Sequence, residues 1–168
     1  MERIIRIDDD EIDSSTVGKL QFRLSELLGE DPTLPIKLII NSYGGHAYAM
    51  LMIIELVQSS TAPIVGMFEE RAFSAAFNIL QFCTKRLARP HSFLCFHVPR
   101  ANAMAEIMAG IPEGTLLDGP DFDIVVEQLS RKSGKGGKWL REFALQDKQL
   151  TANEALELGF IDEVEMVS

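Results

Sequence analysis

With 168 residues the chain is one domain by length, long enough to build a core without disulfides or a metal. A formal net charge of −9 argues against nucleic acid as a partner, because phosphates need clustered Lys and Arg. Apolar residues make up 46% and mean hydropathy is +0.07, which suits either a large core or an oligomer that buries further apolar surface.

The N-terminus, Met1-Glu2-Arg3, has no basic segment followed by a long apolar one, so no secretory signal is expected. No apolar run approaches the roughly 18 residues that a membrane span needs, and the expectation is a cytoplasmic protein. Ile4 to Ile7 reads as a short strand running into the acidic loop Asp8-Asp9-Asp10-Glu11. That loop could in principle hold a cation, but with no second ligand cluster it reads first as a solvated loop. Ser14 or Ser15 caps a predicted helix with Val17, Leu20, Leu24, Leu27 and Leu28 on its apolar face and Gly29 just past its end. Ile36 to Ile40 is a compact apolar strand, stopped by the turn Asn41-Ser42-Tyr43-Gly44-Gly45. A helix apolar on two faces is predicted from about His46 to Ser60.

Pro63 to Phe68 is a third strand and Glu69 to Phe73 a loop. Ser74 to Cys83 is a short apolar helix. A strand pair follows: Arg86 to Ala88, a turn at Arg89-Pro90-His91-Ser92, and Phe93 to His97. Cys83 and Cys95 lie in apolar segments, away from metal-ligand spacing, and read as small core residues. From Val98 to Pro120 the periodicity weakens. It returns at Phe122, Val125, Val126 and Leu129, stops near Gly134, and resumes around Trp139, Leu140 and Phe143. Thr151 with Glu154 three residues on is a capping box, Gly159 closes that last helix, and Phe160 to Val164 is a terminal strand or hook. Alternating strands and helices with short connections predict an α/β domain with a largely parallel sheet.

In such folds ligand sites gather at the carboxyl ends of strands and at helix N-termini. Gly44 and Gly45 follow the second strand, Ser74 opens the helix after the third, and His97 ends the strand that starts at Phe93. A serine next to a histidine that a carboxylate orients makes an activated nucleophile, and a Gly-Gly backbone can offer N–H groups to an oxyanion. Asp147, just before the capped last helix, is available as the orienter. Each residue also has a plainer role. Ser74 caps its helix, His97 is a core histidine, Gly44-Gly45 is a tight turn, and Asp147 is a surface carboxylate. Asp162 competes with Asp147, and His46 and His91 compete with His97.

Taken together these segments resemble a known family. Asn41-Ser42-Tyr43-Gly44-Gly45 is similar to the Asn-Ser-Pro-Gly-Gly turn of the proteolytic subunit of Clp protease, the ClpP family. Arg71-Ala72-Phe73-Ser74-Ala75-Ala76 stands where that family has its nucleophile segment. Phe93 to Pro99 resembles the strand that delivers its histidine, Gln146 to Ala155 with Leu158 to Asp162 resembles its aspartate segment and last helix, and Glu2-Arg3-Ile4-Ile5 its first strand. The resemblance implies the ClpP/crotonase-type α/β fold and a serine peptidase acting through an acyl-enzyme on small or unfolded polypeptides. Ser74 would be the nucleophile, His97 the base and acid, and Asp147 its orienter, with the N–H groups of Gly44 and Ala75 as the oxyanion hole. Gly45, Arg100 and Ala101 would meet the substrate backbone, with no cofactor. It also implies a homo-oligomer, a heptameric ring or double ring enclosing a chamber, fed by a Clp-type ATPase that spends the ATP. Nucleic acid and membrane are not expected as partners.

The chain departs from the family pattern at several points. It starts at the first strand, so the pore-lining N-terminal segment is expected to be missing. Tyr43 replaces proline, Glu70 replaces glycine, Phe73 and Phe77 add bulk near the serine, and Arg100-Ala101-Asn102-Ala103 replaces a glycine-rich substrate strand. The helical handle region, within residues 98–135, carries Pro112, Gly114, Gly119 and Pro120 and must be broken, shortened or rebuilt. These departures motivate a second expectation, a non-catalytic subunit of a mixed assembly. A third is an acyl-CoA hydratase or isomerase of the related crotonase fold.

Overall fold

A computed structural model of the chain describes residues 3–101 and 109–166. Seven strands form one sheet, and six helices pack against it among the described residues. The strands are β1 (Ile4–Ile7), β2 (Ile36–Ser42), β3 (Ile64–Phe73), β4 (Lys85–Ala88), β5 (Phe93–Cys95), β6 (Gln149–Thr151) and β7 (Glu163–Val164). The helices are α1 (Ser14–Glu30), α2 (Ala47–Ser59), α3 (Ala75–Leu80), α4 (Pro120–Ser133), α5 (Gly137–Ala144) and α6 (Ala152–Glu157). The main path runs β1-β2-β3-β4-β7, all parallel, with β5 parallel to β3 and β6 antiparallel to β5. This is the largely parallel α/β architecture that the alternation of elements predicts.

The longest strand, β3, decides where the site lies. Its first half pairs with β2 and β4, with Val65 opposite Lys85 and Phe68 opposite Ala88. Its second half changes partner: Arg71, Ala72 and Phe73 lie opposite Phe93, Leu94 and Cys95 of β5. Glu69 to Phe73, expected as a loop, is therefore strand. The predicted pairing of β4 with β5 is replaced by pairing of each with a different stretch of β3. Pairing to a neighbour outweighs the low strand preference of Glu69 and Glu70.

Local signals set most boundaries. The first helix is capped by Asp13, whose Oδ1 accepts from the N–H groups of Ser15 (2.8 Å) and Thr16 (3.0 Å), one residue before the predicted serines. It continues through Gly29 to Glu30, because Asp31 and not the glycine ends it. The capping box at α6 is as predicted, with Thr151 Oγ1 accepting from Glu154 N–H and Glu154 Oε2 accepting from Thr151 N–H. Pro120 sits in the first turn of α4, where its missing N–H is no loss, and Gly134 at φ +73° ends that helix. Pro112 and Gly114 precede it in irregular chain. The handle expectation for residues 102–108 lies outside the described residues.

A cluster of aromatic rings packs beneath the site. Phe77 on α3 lies 5.4 Å from Phe96 and 5.6 Å from Phe160 between ring centroids, and Phe96 stacks on Phe122 of α4 at 5.5 Å. All six residues of α3 are buried. Arg86 is buried too, holding Asp162 and donating to Gln81 Oε1 at 2.9 Å. No helix of the described residues is long and apolar enough to cross a membrane.

Candidate active site

Ser74 lies between β3 and α3 at φ +54° and ψ −122°, a conformation that side-chain-bearing residues rarely adopt and that persists only where surroundings impose it. Those surroundings are visible. The Ser74 N–H donates to the Cys95 carbonyl at 3.1 Å, and its carbonyl accepts from Asn78 N–H at 3.0 Å. The hydroxyl makes no capping bond, so the plainer role of Ser74 as a side-chain cap is not realised. The tight strand-to-helix turn leaves the side chain lining a cleft of about 320 Å³.

Gly44 and Gly45 close the other wall of the turn at φ +104° and +154°. A Cβ on Gly44 would stand 2.7 Å from the Phe73 carbonyl oxygen and 2.8 Å from Ser74 Cβ, so glycine is what lets this backbone reach the serine. A Cβ on Gly45 would collide with the backbone of Ile12. The Gly44 N–H donates to Ser42 Oγ at 3.2 Å, a bond that an oxyanion would have to displace. Ala75 N lies beside the turn, 3.0 Å from the same hypothetical Cβ.

His97 follows β5 by two residues, anchored by the buried ring of Phe96. It lines the same cleft as Ser74 and Gly45. Its Nδ1 is 2.9 Å from the Val98 carbonyl. A carbonyl only accepts, so Nδ1 carries a proton, and in a neutral ring with Nδ1 protonated the lone pair lies on Nε2, the tautomer a general base needs. Asp147, exposed at φ +48° between α5 and β6, has Oδ1 3.9 Å from His97 Nδ1, beyond hydrogen-bond length. Its Oδ2 accepts from Arg100 Nη2. Among the described residues no hydrogen bond joins Ser74 to His97. Ser74, His97 and the glycine turn thus share one cleft, and the carboxylate stands one step outside bonding range.

The competitors are placed elsewhere. Asp162 is bound to Arg86 through both oxygens. Burial pushes its carboxyl up, but the bonds from Arg86 outweigh that and leave it below the usual range. His46 starts α2 with Nε2 3.4 Å from exposed Glu11, and His91 is exposed in its turn. Phe77 lies in the core, Phe73 packs edge-on to Tyr43 at 5.8 Å, and Glu70 is exposed outside the cleft.

Residues 99–101 form a short edge. The Leu117 N–H donates to the Pro99 carbonyl at 2.7 Å, Ala101 N–H to the Thr115 carbonyl at 2.8 Å, and Gly114 N–H to the Ala101 carbonyl at 2.7 Å. Ala101 thus has its backbone bonds within the chain, while Arg100 and Ala101 both line the cleft. Asn102 and Ala103 lie outside the described residues. Not foreseen were Glu113 and Leu117 in the cleft wall, and a second, apolar cavity of about 400 Å³ lined by Met50, Asn78, Leu116, Phe122 and Val125. The two cavities share Ala47, Pro99 and Leu117. Asn78 follows Ser74 by four residues on α3, while the others come from chain farther away in sequence, and no local signal points to them. Among the described residues no group of three His, Cys, Asp or Glu is placed to hold a metal.

A parallel α/β sheet that gathers a serine, a histidine and a glycine turn at its strand ends has the layout of a hydrolase. The family model for Clp protease matches residues 1–167. The chain is 31% identical to ATP-dependent Clp protease proteolytic subunit 2 of Nocardia farcinica, over 97% of this chain and 80% of that protein. It is likewise 31% identical to subunit 2 of Mycobacterium leprae, over 97% of this chain and 77% of the relative. Subunit 1 of Protochlamydia amoebophila is 27% identical over 92% and 77%. The chain therefore belongs to the Clp protease family, a family of peptidases, and its α/β sheet is consistent with the ClpP fold.

Proposed function

We propose that the chain is a serine peptidase in which Ser74 attacks the peptide carbonyl and His97 Nε2 takes the hydroxyl proton. His97 then returns that proton to the leaving amine, and water repeats the sequence on the acyl-enzyme. Asp147 orients the imidazolium once it comes within bonding range, and the N–H groups of Gly44 and Ala75 receive the oxyanion. The observation that carries this is Ser74 held at φ +54° in one cleft with His97, against a glycine turn that only glycine can close. The substrate class is small or unfolded polypeptide. By family resemblance the assembly is a heptameric ring or double ring in the cytoplasm. The names of the relatives carry ATP dependence, and here a separate Clp-type ATPase would supply it.

Reaction with a fluorophosphonate probe, with the adduct located by mass spectrometry, tests the assignment. Labelling is expected at Ser74 alone. Ser74→Ala is expected to abolish labelling and to lower peptide turnover by about 10⁶-fold with fold and assembly intact. Peptide cleavage by Ser74→Ala at the unsubstituted rate would refute it.

A second reading, a non-catalytic subunit of a mixed ring, is favoured by the 3.9 Å between His97 and Asp147 and by the Ser42 bond to Gly44 N–H. Absence of labelling in chains that native mass spectrometry finds fully assembled would favour it.

A further inference from the structure

We infer that Arg100 is a positioning residue that holds the Asp147 carboxylate out of hydrogen-bonding reach of His97, so that removing Arg100 lets the His97–Asp147 bond close. The inference rests on the Ser74–His97 assignment above and adds a control element to it. Three observations converge. Asp147 Oδ2 accepts from Arg100 Nη2, while Oδ1, the oxygen nearer His97, stops 3.9 Å from Nδ1. The Nδ1 proton has gone instead to the Val98 carbonyl at 2.9 Å. Thirdly, the backbone on either side of Arg100 is clamped by the bonds of Pro99 and Ala101 to residues 114–117, which fixes the point from which its side chain reaches Asp147.

The chemistry of the exchange is simple. A guanidinium offers a charge-assisted bond to a carboxylate, and neutral imidazole offers a weaker one, so in the resting site Arg100 wins. A neutral Val98 carbonyl stabilises an imidazolium less than a carboxylate does. An imidazolium formed as the Ser74 hydroxyl gives up its proton therefore lacks the carboxylate's bond while Arg100 keeps Asp147. Side chains of Arg100 and Asp147 are 41% and 48% exposed, and such pairs are weak enough to exchange. Other charges around the carboxylate do not take Arg100's place. Lys148 is held by Glu154 at 3.0 Å, and Cys95, from β5, has its thiol pushed up to about 11 by burial and then by Asp147. Glu113 lines the cleft but no ion pair joins it to these groups among the described residues.

The experiment is a double-mutant cycle on the full chain, read by the fluorophosphonate labelling rate of Ser74 and by the ring ¹⁵N shifts of His97 detected through its carbon-bound protons. Arg100→Met is expected to raise the labelling rate about tenfold and to move the ¹⁵N shift of Nδ1 to that of a carboxylate-bound N–H. Adding Asp147→Asn should remove both gains, costing at least about fivefold more there than in the chain that keeps Arg100. Arg100→Lys, which keeps the charge but loses the planar fork, should fall between. Arg100→Gln serves as the second variant if Arg100→Met does not fold. A fall in labelling in the Arg100 variants, or a gain that survives Asp147→Asn, would overturn the inference. If no variant labels, the peptidase assignment fails, and the ¹⁵N shifts alone decide: unchanged shifts in Arg100→Met and Arg100→Gln would overturn the role of Arg100 as well.

Discussion

The two halves of the site are built differently. The half around the proposed nucleophile, Ser74, is made of backbone: β3 delivers Ser74, Cys95 holds its N–H, the fully buried α3 follows, and Gly44 packs within hypothetical contact of Ser74 Cβ. The carboxylate half is made of side chains on exposed chain, with Asp147 at a loop and Arg100 at a short edge. Backbone geometry locked into a core has one solution. Exposed charged side chains have several of similar energy, so that half is where a site can be switched.

If that contrast is right, substitutions supporting the nucleophile half should cost most. Phe77→Ala, which empties the centre of the ring cluster behind Ser74, is expected to destabilise the fold by about 3–5 kcal/mol, measured by denaturant unfolding. Gly44→Ala puts a methyl 2.7 Å from the Phe73 carbonyl oxygen at φ +104°. It should cost about 1–3 kcal/mol of stability and at least about 10²-fold in Ser74 labelling, because the turn moves and with it an oxyanion donor. A Gly44→Ala chain that labels normally would break the comparison.

The smallest effect is expected beside Asp147. Thr151→Ala removes the cap of α6 and should cost about 1 kcal/mol near neutral pH, with little change in labelling. Its partner Glu154 is held down to about 2, first by the Thr151 N–H, then by Lys148 and the Thr151 hydroxyl. A carboxyl depressed in the folded state stabilises fully above its unfolded value of about 4.3 and loses that contribution as pH falls through the folded value. Thr151→Ala keeps that backbone N–H and Lys148 and removes only the hydroxyl's share, so the stability gap to the unsubstituted chain should narrow only slightly between about pH 5 and pH 2, by thermal unfolding across that range.

The elements that place the candidate site residues were legible in the chain because they are encoded locally. Gly44-Gly45 after an apolar strand, Ser74 before an apolar helix and His97 after another strand each carry their element with them. The competing histidines and Asp162 could not be dismissed that way. Asp162 is occupied by Arg86, a residue 76 positions away whose burial no window of sequence reveals. The extension of β3 was hidden for a similar reason: Glu69-Glu70-Arg71 reads as loop until β5 pairs with it. The antiparallel β6 beside β5 was likewise invisible in three residues.

By itself, then, the sequence determined the α/β alternation, the glycine turn, the capping box of the last helix and the order of serine, histidine and aspartate. All of these depend on neighbours within a few positions, where periodicity, φ preference and capping act. Only the tertiary structure decided that Arg100, 47 residues from Asp147, takes its carboxylate, that residues 114–117 clamp the edge beside it, and that Arg86 removes Asp162 from contention. Those outcomes are competitions between charged and hydrogen-bonding groups distant along the chain, and their winners are set by position in space.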